Sequence, residues 1–280
     1  MYNGKTLCLG LGAYSGSKLS LEEQIKTIKK VGFDGIFSGW GGIDYLRNIK
    51  AITKENGMIY QSVHAPFGKI NLIWEDSVEG KNVLDELKQC VDDCAEVGVG
   101  ILVCHVWIGF GEQHPNDDGI KNFKALLDHA EKKGVKIAFE NTEGEDYLAY
   151  LWEKLGDHPA AGFCIDTGHE MCYNRGKDLI TKYGKNGKLI ATHINDNLGV
   201  TGENIFWHDD YHLLPFDGIA DWQGVADRLN AVGYNGILTS ELTTGNKPGR
   251  TENTKYQLLT EEEYFALAYE RLTKIVELMK

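Results

Sequence analysis

Nine side chains able to hold a divalent ion or move a proton recur at the ends of short apolar runs. Gln-Ser-Val leads into His64, and Leu-Val-Cys into His105. Phe139 precedes Glu140, Ile165 precedes Asp166 with His169 three residues on, Thr192 precedes His193, and Ser240 precedes Glu241. A polar segment between the last two contributes Asp210 and His212. One such histidine or glutamate alone is usually a hydrogen-bonded strand end or a helix cap. Six consecutive runs that each deliver His, Asp or Glu at the same end point instead to a metal site. Imidazole and carboxylate donors suit zinc, manganese or iron better than calcium. The spacings allow convergence. In an extended Asp210-x-His212 both side chains fall on one side, and Thr167-Gly168 lets the chain turn so that His169 reaches back toward Asp166.

Charge limits the number of ions. Glu140, Asp166, Asp210 and Glu241 would put four carboxylates into one pocket, and such a group without counter-charge takes up protons. One divalent ion leaves −2, two give zero and three leave +2. A positive surplus suits a phosphate-bearing substrate.

The elements that must position these residues follow from the hydrophobic pattern. Apolar runs at 6–12, 35–40, 60–66, 101–106, 136–142, 161–167, 189–195 and 236–242 are short and mostly continuous, as in parallel strands covered on both faces. Amphipathic helical stretches lie between them. Ser20 and Glu23 form a capping box at the start of the first, and Gly32, Gly98, Gly134 and Gly233 read as left-handed helix ends. The last helix is expected over 260–280 behind Thr260. Eight strand-then-helix units in 280 residues predict one domain, a parallel (β/α)8 TIM barrel over residues 1–280. An open doubly wound sheet fits less well, because Gly10-Leu11-Gly12 lacks the spacing of a phosphate turn and no acidic residue directly ends the second strand. The longest irregular stretches, 195–219 and 243–259, follow strands, which puts them on the face where barrels keep their sites.

Composition narrows the function classes. A net charge of −12 with five arginines argues against broad nucleic-acid binding, although bound metal can invert the sign locally. The six cysteines include no CxxC pair and read as free thiols of a reducing cytosol. The first residues lack an apolar signal core, and no run approaches the about 20 apolar residues of a membrane span. A cytoplasmic protein without a membrane partner is expected. His114, His129 and His158 read as surface residues, while His208 is balanced between a substrate contact and no role. Trp40, Trp74, Trp107, Phe110, Tyr173 and Trp207 fall in loops after strands, where such faces stack on a sugar or a base, or simply pack the loop.

The segments His64-Ala65-Pro66-Phe67, Phe139-Glu140-Asn141-Thr142, Ile165-Asp166-Thr167-Gly168-His169, His193-Ile194-Asn195-Asp196 and Ser240-Glu241 resemble the xylose-isomerase-like barrel superfamily over essentially the whole chain. That superfamily holds sugar and sugar phosphate isomerases and epimerases, and also endonuclease IV. The resemblance to the former implies one divalent ion, often manganese, on Glu140, Asp166, His193 and Glu241, with the two glutamates moving protons. The metal acts there as a Lewis acid toward the carbonyl and adjacent hydroxyl of an open-chain sugar. The resemblance to endonuclease IV implies three zinc ions on His64, His105, Glu140, Asp166, His169, His193, Asp210, His212 and Glu241. The loop Ser38 to Tyr45 lacks a basic lesion-probing segment, and His212-Leu213-Leu214-Pro215-Phe216-Asp217-Gly218 followed by Asp221-Trp222 looks more like the isomerase side. The expected function is therefore a metal-dependent isomerase or epimerase of a small sugar or sugar phosphate, using one to three zinc or manganese ions. The alternative is an abasic-site endonuclease acting as a multi-zinc phosphodiesterase. Asn141, Asn195 and Asp196 are expected to orient the ligands. The expected partner is a small carbohydrate rather than nucleic acid, and a homo-oligomer is left open.

Overall fold

The computed structural model describes residues 1–112, 114–200 and 207–279. Its strands are β1 (Leu7–Gly10), β2 (Gly35–Gly39), β3 (Ile59–His64), β4 (Ile101–His105), β5 (Lys136–Glu140), β6 (Ala161–Asp166), β7 (Leu189–His193) and β8 (Leu238–Ser240). They form one sheet in the order β7-β6-β5-β4-β3-β2-β1-β8, with every ladder parallel. β7 and β8 close the ring more thinly. Ile194 N–H donates to the Thr239 carbonyl (2.8 Å), and Thr239 N–H donates to the Thr192 hydroxyl (3.0 Å). The result is the expected (β/α)8 barrel.

The helices are α1 (Leu21–Val31), α2 (Ile43–Glu55), α3 (Val78–Val97), α4 (Asp117–Lys133), α5 (Glu145–Leu155), α6 (Thr167–Cys172), α7 (Leu179–Tyr183), α8 (Trp222–Ala231) and α9 (Glu261–Leu278), all on the outside except α6, which starts at the end of β6 and carries His169 into the site. The capping boxes at Ser20/Glu23 and Thr260/Glu263 are both formed, and Gly32, Gly98 and Gly134 end their helices in the left-handed conformation. α8 differs slightly. Its cap is Val232, and the left-handed residue is Gly233, one position later. Lys280, expected in the last helix, lies outside the described residues. Among the described residues no helix is long and apolar enough to cross a membrane.

The main core lies between strands and helices. Inside the ring, below the site, sit Val103, Ala138, Cys164 and Ala191. Small residues there leave room for the large polar side chains one layer up. The register then sets the site: His105 pairs with Glu140 across β4–β5, and Asp166 with His193 across β6–β7. Several strands stop one or two residues short of the expected ends. There the carbonyls of Ala65, Asn141 and Glu241 accept imidazole protons from His64 (2.7 Å), His169 (2.9 Å) and His212 (3.0 Å).

Candidate metal centre

All nine residues expected from the sequence converge on the carboxyl ends of the strands. Glu140 is the hub. It is fully buried, its Oε2 faces His64 Nε2 (3.1 Å) and His105 Nε2 (3.2 Å), and its Oε1 faces His193 Nδ1 (3.0 Å) and His169 Nδ1 (3.5 Å). His193 Nδ1 also lies 3.0 Å from Glu241 Oε2. Asp210 Oδ2 faces His212 Nε2 (2.9 Å) and His169 Nε2 (3.6 Å).

Two expectations about local geometry are corrected. His169 does come back to Asp166, its Nδ1 3.8 Å from Asp166 Oδ1, but from a helix start rather than through a Thr-Gly turn. Asp166 is the N-cap of α6, its Oδ1 accepting the His169 backbone N–H at 2.7 Å, so the Asp-x-x-His spacing is the capping spacing of a helix start. Gly168 sits where a Cβ would strike Asn195 Oδ1, so this helix start needs glycine. Asp210 and His212 do fall on one side, but His212 itself is not extended. His212 adopts a left-handed φ of +49°, and that strained backbone turns its ring onto Asp210.

The donor set fits a divalent cation. A carbonyl oxygen only accepts, so Nδ1 carries the proton in His64, His169 and His212, and Nε2 is the nitrogen turned toward the carboxylates. Two acceptors facing each other at such distances need a proton or a metal ion between them. Outer hydrogen bonds of this kind are what orient metal-bound imidazoles. His105 Nδ1 and His193 Nε2 are buried with no hydrogen-bond partner. The donor atoms fall into groups whose members lie within 4.8 Å of one another: His64–His105–Glu140, Asp166–His169–His212, and Glu140–Asp166–His193–Glu241. Cys164 also comes near Glu140 and His193, and without metal burial pushes its thiol up to about 12.

Without metal the pocket balances charge by sharing protons. Burial alone would raise Glu140 and Asp210, yet the adjacent imidazoles, His193 and His105 for one and His212 and His169 for the other, hold both well below the carboxylate range. Burial also opposes ionisation of Glu241, which His193 and His212 bring down to about 2. Burial lifts Asp166 to about 6 despite His169 and His212. Burial works against charged imidazoles, but Asp166 and Asp210 raise His169 well above its usual value, and Asp210 raises His212 to about 9. A protonated imidazole cannot ligate, so metal binding must expel these protons. Apparent affinity for Mn²⁺ is expected to rise from pH 6.5 toward 9, by up to about tenfold per pH unit for each proton displaced. Calorimetry in buffers of different ionisation enthalpy counts the protons, and an affinity flat over that window would contradict this charge balance.

Residues 17–278 match the family described as xylose isomerase-like TIM barrel. The chain belongs to that family. An uncharacterised protein of Sinorhizobium fredii is 28% identical over 271 residues, covering 85% of this chain and 79% of that protein. An alignment of 95 positions, covering 27% of this chain and 33% of a probable endonuclease 4 from Phocaeicola vulgatus, is 30% identical. Among solved structures, the IolI protein with a bound zinc atom superposes with a TM-score of 0.74 at 20% identity, over 97% of this chain and 98% of that one. D-psicose 3-epimerase of Clostridium cellulolyticum H10 with D-tagatose gives 0.69 at 16%, over 98% and 99%. At these identities the two structures bear on the fold.

In this xylose isomerase-like barrel the ligand ring is held from behind. Asn195 Nδ2 donates to Asp166 Oδ2 (2.7 Å), and Asn141 brackets Asp166 through both its backbone N–H and carbonyl (2.8 and 2.9 Å). Asp196 acts on a loop instead. It accepts N–H groups from Asn197 (2.9 Å), Phe216 (3.0 Å), Ala220 (3.1 Å) and the Trp222 indole (3.1 Å). Asp196→Ala would leave several buried donors unpaired, so a loss of about 3 kcal/mol or more is expected. The melting temperature should fall by roughly 5–10 °C. Thermal unfolding unchanged within a degree would remove Asp196 from this role.

A cavity of about 660 Å³ opens above the ring. Tyr173 and Trp207 line it, as do five residues that the motifs did not mark: Asn71, Ile108, Gly109, Glu143 and Lys247. Only their place in loops after strands hinted at them. Trp74 and Trp107 pack the loops around Tyr147 instead, and His208 sits edge-on to Trp207 outside the cavity lining.

Proposed function

We propose that this barrel is a divalent-metal-dependent isomerase or epimerase of a small sugar or sugar phosphate, with Glu241 moving the proton. One observation carries this reading. Of the Glu140–Asp166–His193–Glu241 group, Glu241 lines the cavity and the other three lie beneath it. The cavity has the size of a small-molecule site. A divalent ion held by these four residues supplies Lewis acidity toward adjacent carbonyl and hydroxyl oxygens. Glu241, kept ionised by His193, takes a proton from the carbon beside the carbonyl and delivers it to the carbonyl carbon, which is isomerisation; epimerisation at the first carbon would need a second proton donor on the opposite face. Glu140, with both oxygens engaged by imidazoles and no exposed surface, is assigned to holding metal rather than to proton transfer. The three donor groups support a site for up to three zinc or manganese ions.

The convergence of all nine residues, together with the segment similar to a probable endonuclease 4, favours a phosphodiesterase as the second reading. Against it stand the net charge of −12 and a concave cavity in which one lysine and no arginine appears among the described residues. A panel of ketoses, aldoses and their phosphates with Mn²⁺ or Zn²⁺ is expected to reveal interconversion. Abasic duplex DNA should remain intact at physiological salt. Efficient incision, abolished in Glu140→Gln and accompanied by no sugar conversion, would invert the order of the two readings.

A further inference from the structure

Two loops lock together over the Asp210 side of the cavity. Arg250 pairs with Asp209 (2.7 Å), and the Asn253 side-chain amide donates to the carbonyls of Gly245 (2.7 Å) and Tyr211 (2.9 Å). The turn after β8 is thus fastened to the segment that carries Asp210 and His212. It delivers Lys247 into the cavity wall, with its ammonium 3.3 Å from Asp210 Oδ2 and 5.4 Å from the centre of the Trp207 ring. The Lys247 side chain is only 21% exposed. Among the described residues lining the cavity, it is the one lysine or arginine.

A lysine in that place does not help a metal site. It competes for the same Asp210 oxygen that His212 and His169 approach. A cation bound to that oxygen would face the ammonium as a like charge at close range. Lys247 is not the nearest partner of Asp210 Oδ2: His212 Nε2 lies closer, at 2.9 Å. The arrangement is favourable when an anion lies beside the ammonium, backed by the indole face, where a partly dry charge-assisted hydrogen bond is strong.

We infer that Lys247 recognises an anionic group of the substrate, a phosphate ester or a carboxylate. The inference rests on the proposed sugar site and specifies the substrate class. The test is calorimetric titration of the metal-loaded protein with D-fructose, D-fructose 6-phosphate, D-gluconate and inorganic phosphate, for the wild type, Lys247→Met and Lys247→Arg. At least one anionic sugar should bind the wild type roughly tenfold or more tightly than D-fructose. Lys247→Met should abolish that advantage and Lys247→Arg retain most of it, with each variant held at saturating metal. Whether the ester or the acid gains more identifies the group. Lys247→Gln replaces Lys247→Met if the latter misfolds. No anionic advantage in the wild type, or one that survives removal of the charge, overturns the inference. Conversion of neutral sugars without anion preference would sink this inference alone. Lys247-dependent anion binding without any isomerisation would sink only the proposed reaction.

Discussion

Glu140→Gln is expected to abolish turnover and strip the site of metal. The carboxylate touches four imidazoles through its two oxygens and belongs to two of the main donor groups. Gln keeps one oxygen, but it turns an N–H₂ donor toward ring nitrogens and removes the negative charge that the imidazoles gather around. Changes behind a metal ligand cost about 10–100-fold in metal affinity or activity, so a shared ligand should cost at least about 10²-fold. Elemental analysis after dialysis, beside far-UV circular dichroism to show that the barrel persists, measures this directly. Wild-type metal content with wild-type turnover would remove Glu140 from the centre of the site.

Glu241→Gln separates binding from chemistry. Glu241 shares His193 with Glu140, so the substitution should weaken metal binding, and excess metal should restore occupancy. Glu241 alone among the quartet faces the cavity, so its basicity has no obvious substitute. Turnover is expected to stay lower by roughly 10²-fold or more at full occupancy, the usual size of a lost general base. Exchange of the substrate α-hydrogen with solvent should fall in parallel. Near-wild-type turnover in the metal-saturated variant would confine Glu241 to ligation and reopen the search for the base.

The barrel was legible because continuous apolar strands, capping boxes and glycine helix ends are local signals that agree with one another. The nine polar residues at strand ends were legible for the same reason, since a parallel barrel brings all such ends to one rim. What escaped was geometry without a local signature. Nothing in Asp166-Thr-Gly-His169 distinguishes a turn from a helix start, and nothing at His212 announces a left-handed residue. The burial of Glu140 beneath its imidazoles depends on ladder register across β4, β5 and β7. Glu143 and Lys247 stand in loops whose course is set by distant partners, such as Asn253 for the Lys247 turn.

The thin junction between β7 and β8 has a thermodynamic consequence. Along it the ladder relies on the Ile194–Thr239 hydrogen bond and a threonine hydroxyl, against two register pairs between β3 and β4 and three to five at the other junctions. His193 lies on one side of this seam and Glu241 on the other. An ion bound by both therefore works as a clasp, and its binding free energy adds to the free energy of closing the ring. Occupancy and local unfolding become linked equilibria. The lowest-energy opening of the barrel would begin where the ion is lost, and the amide protons of residues 192–194 and 238–241 would report the occupancy of the candidate metal centre long before the remaining staves exchange.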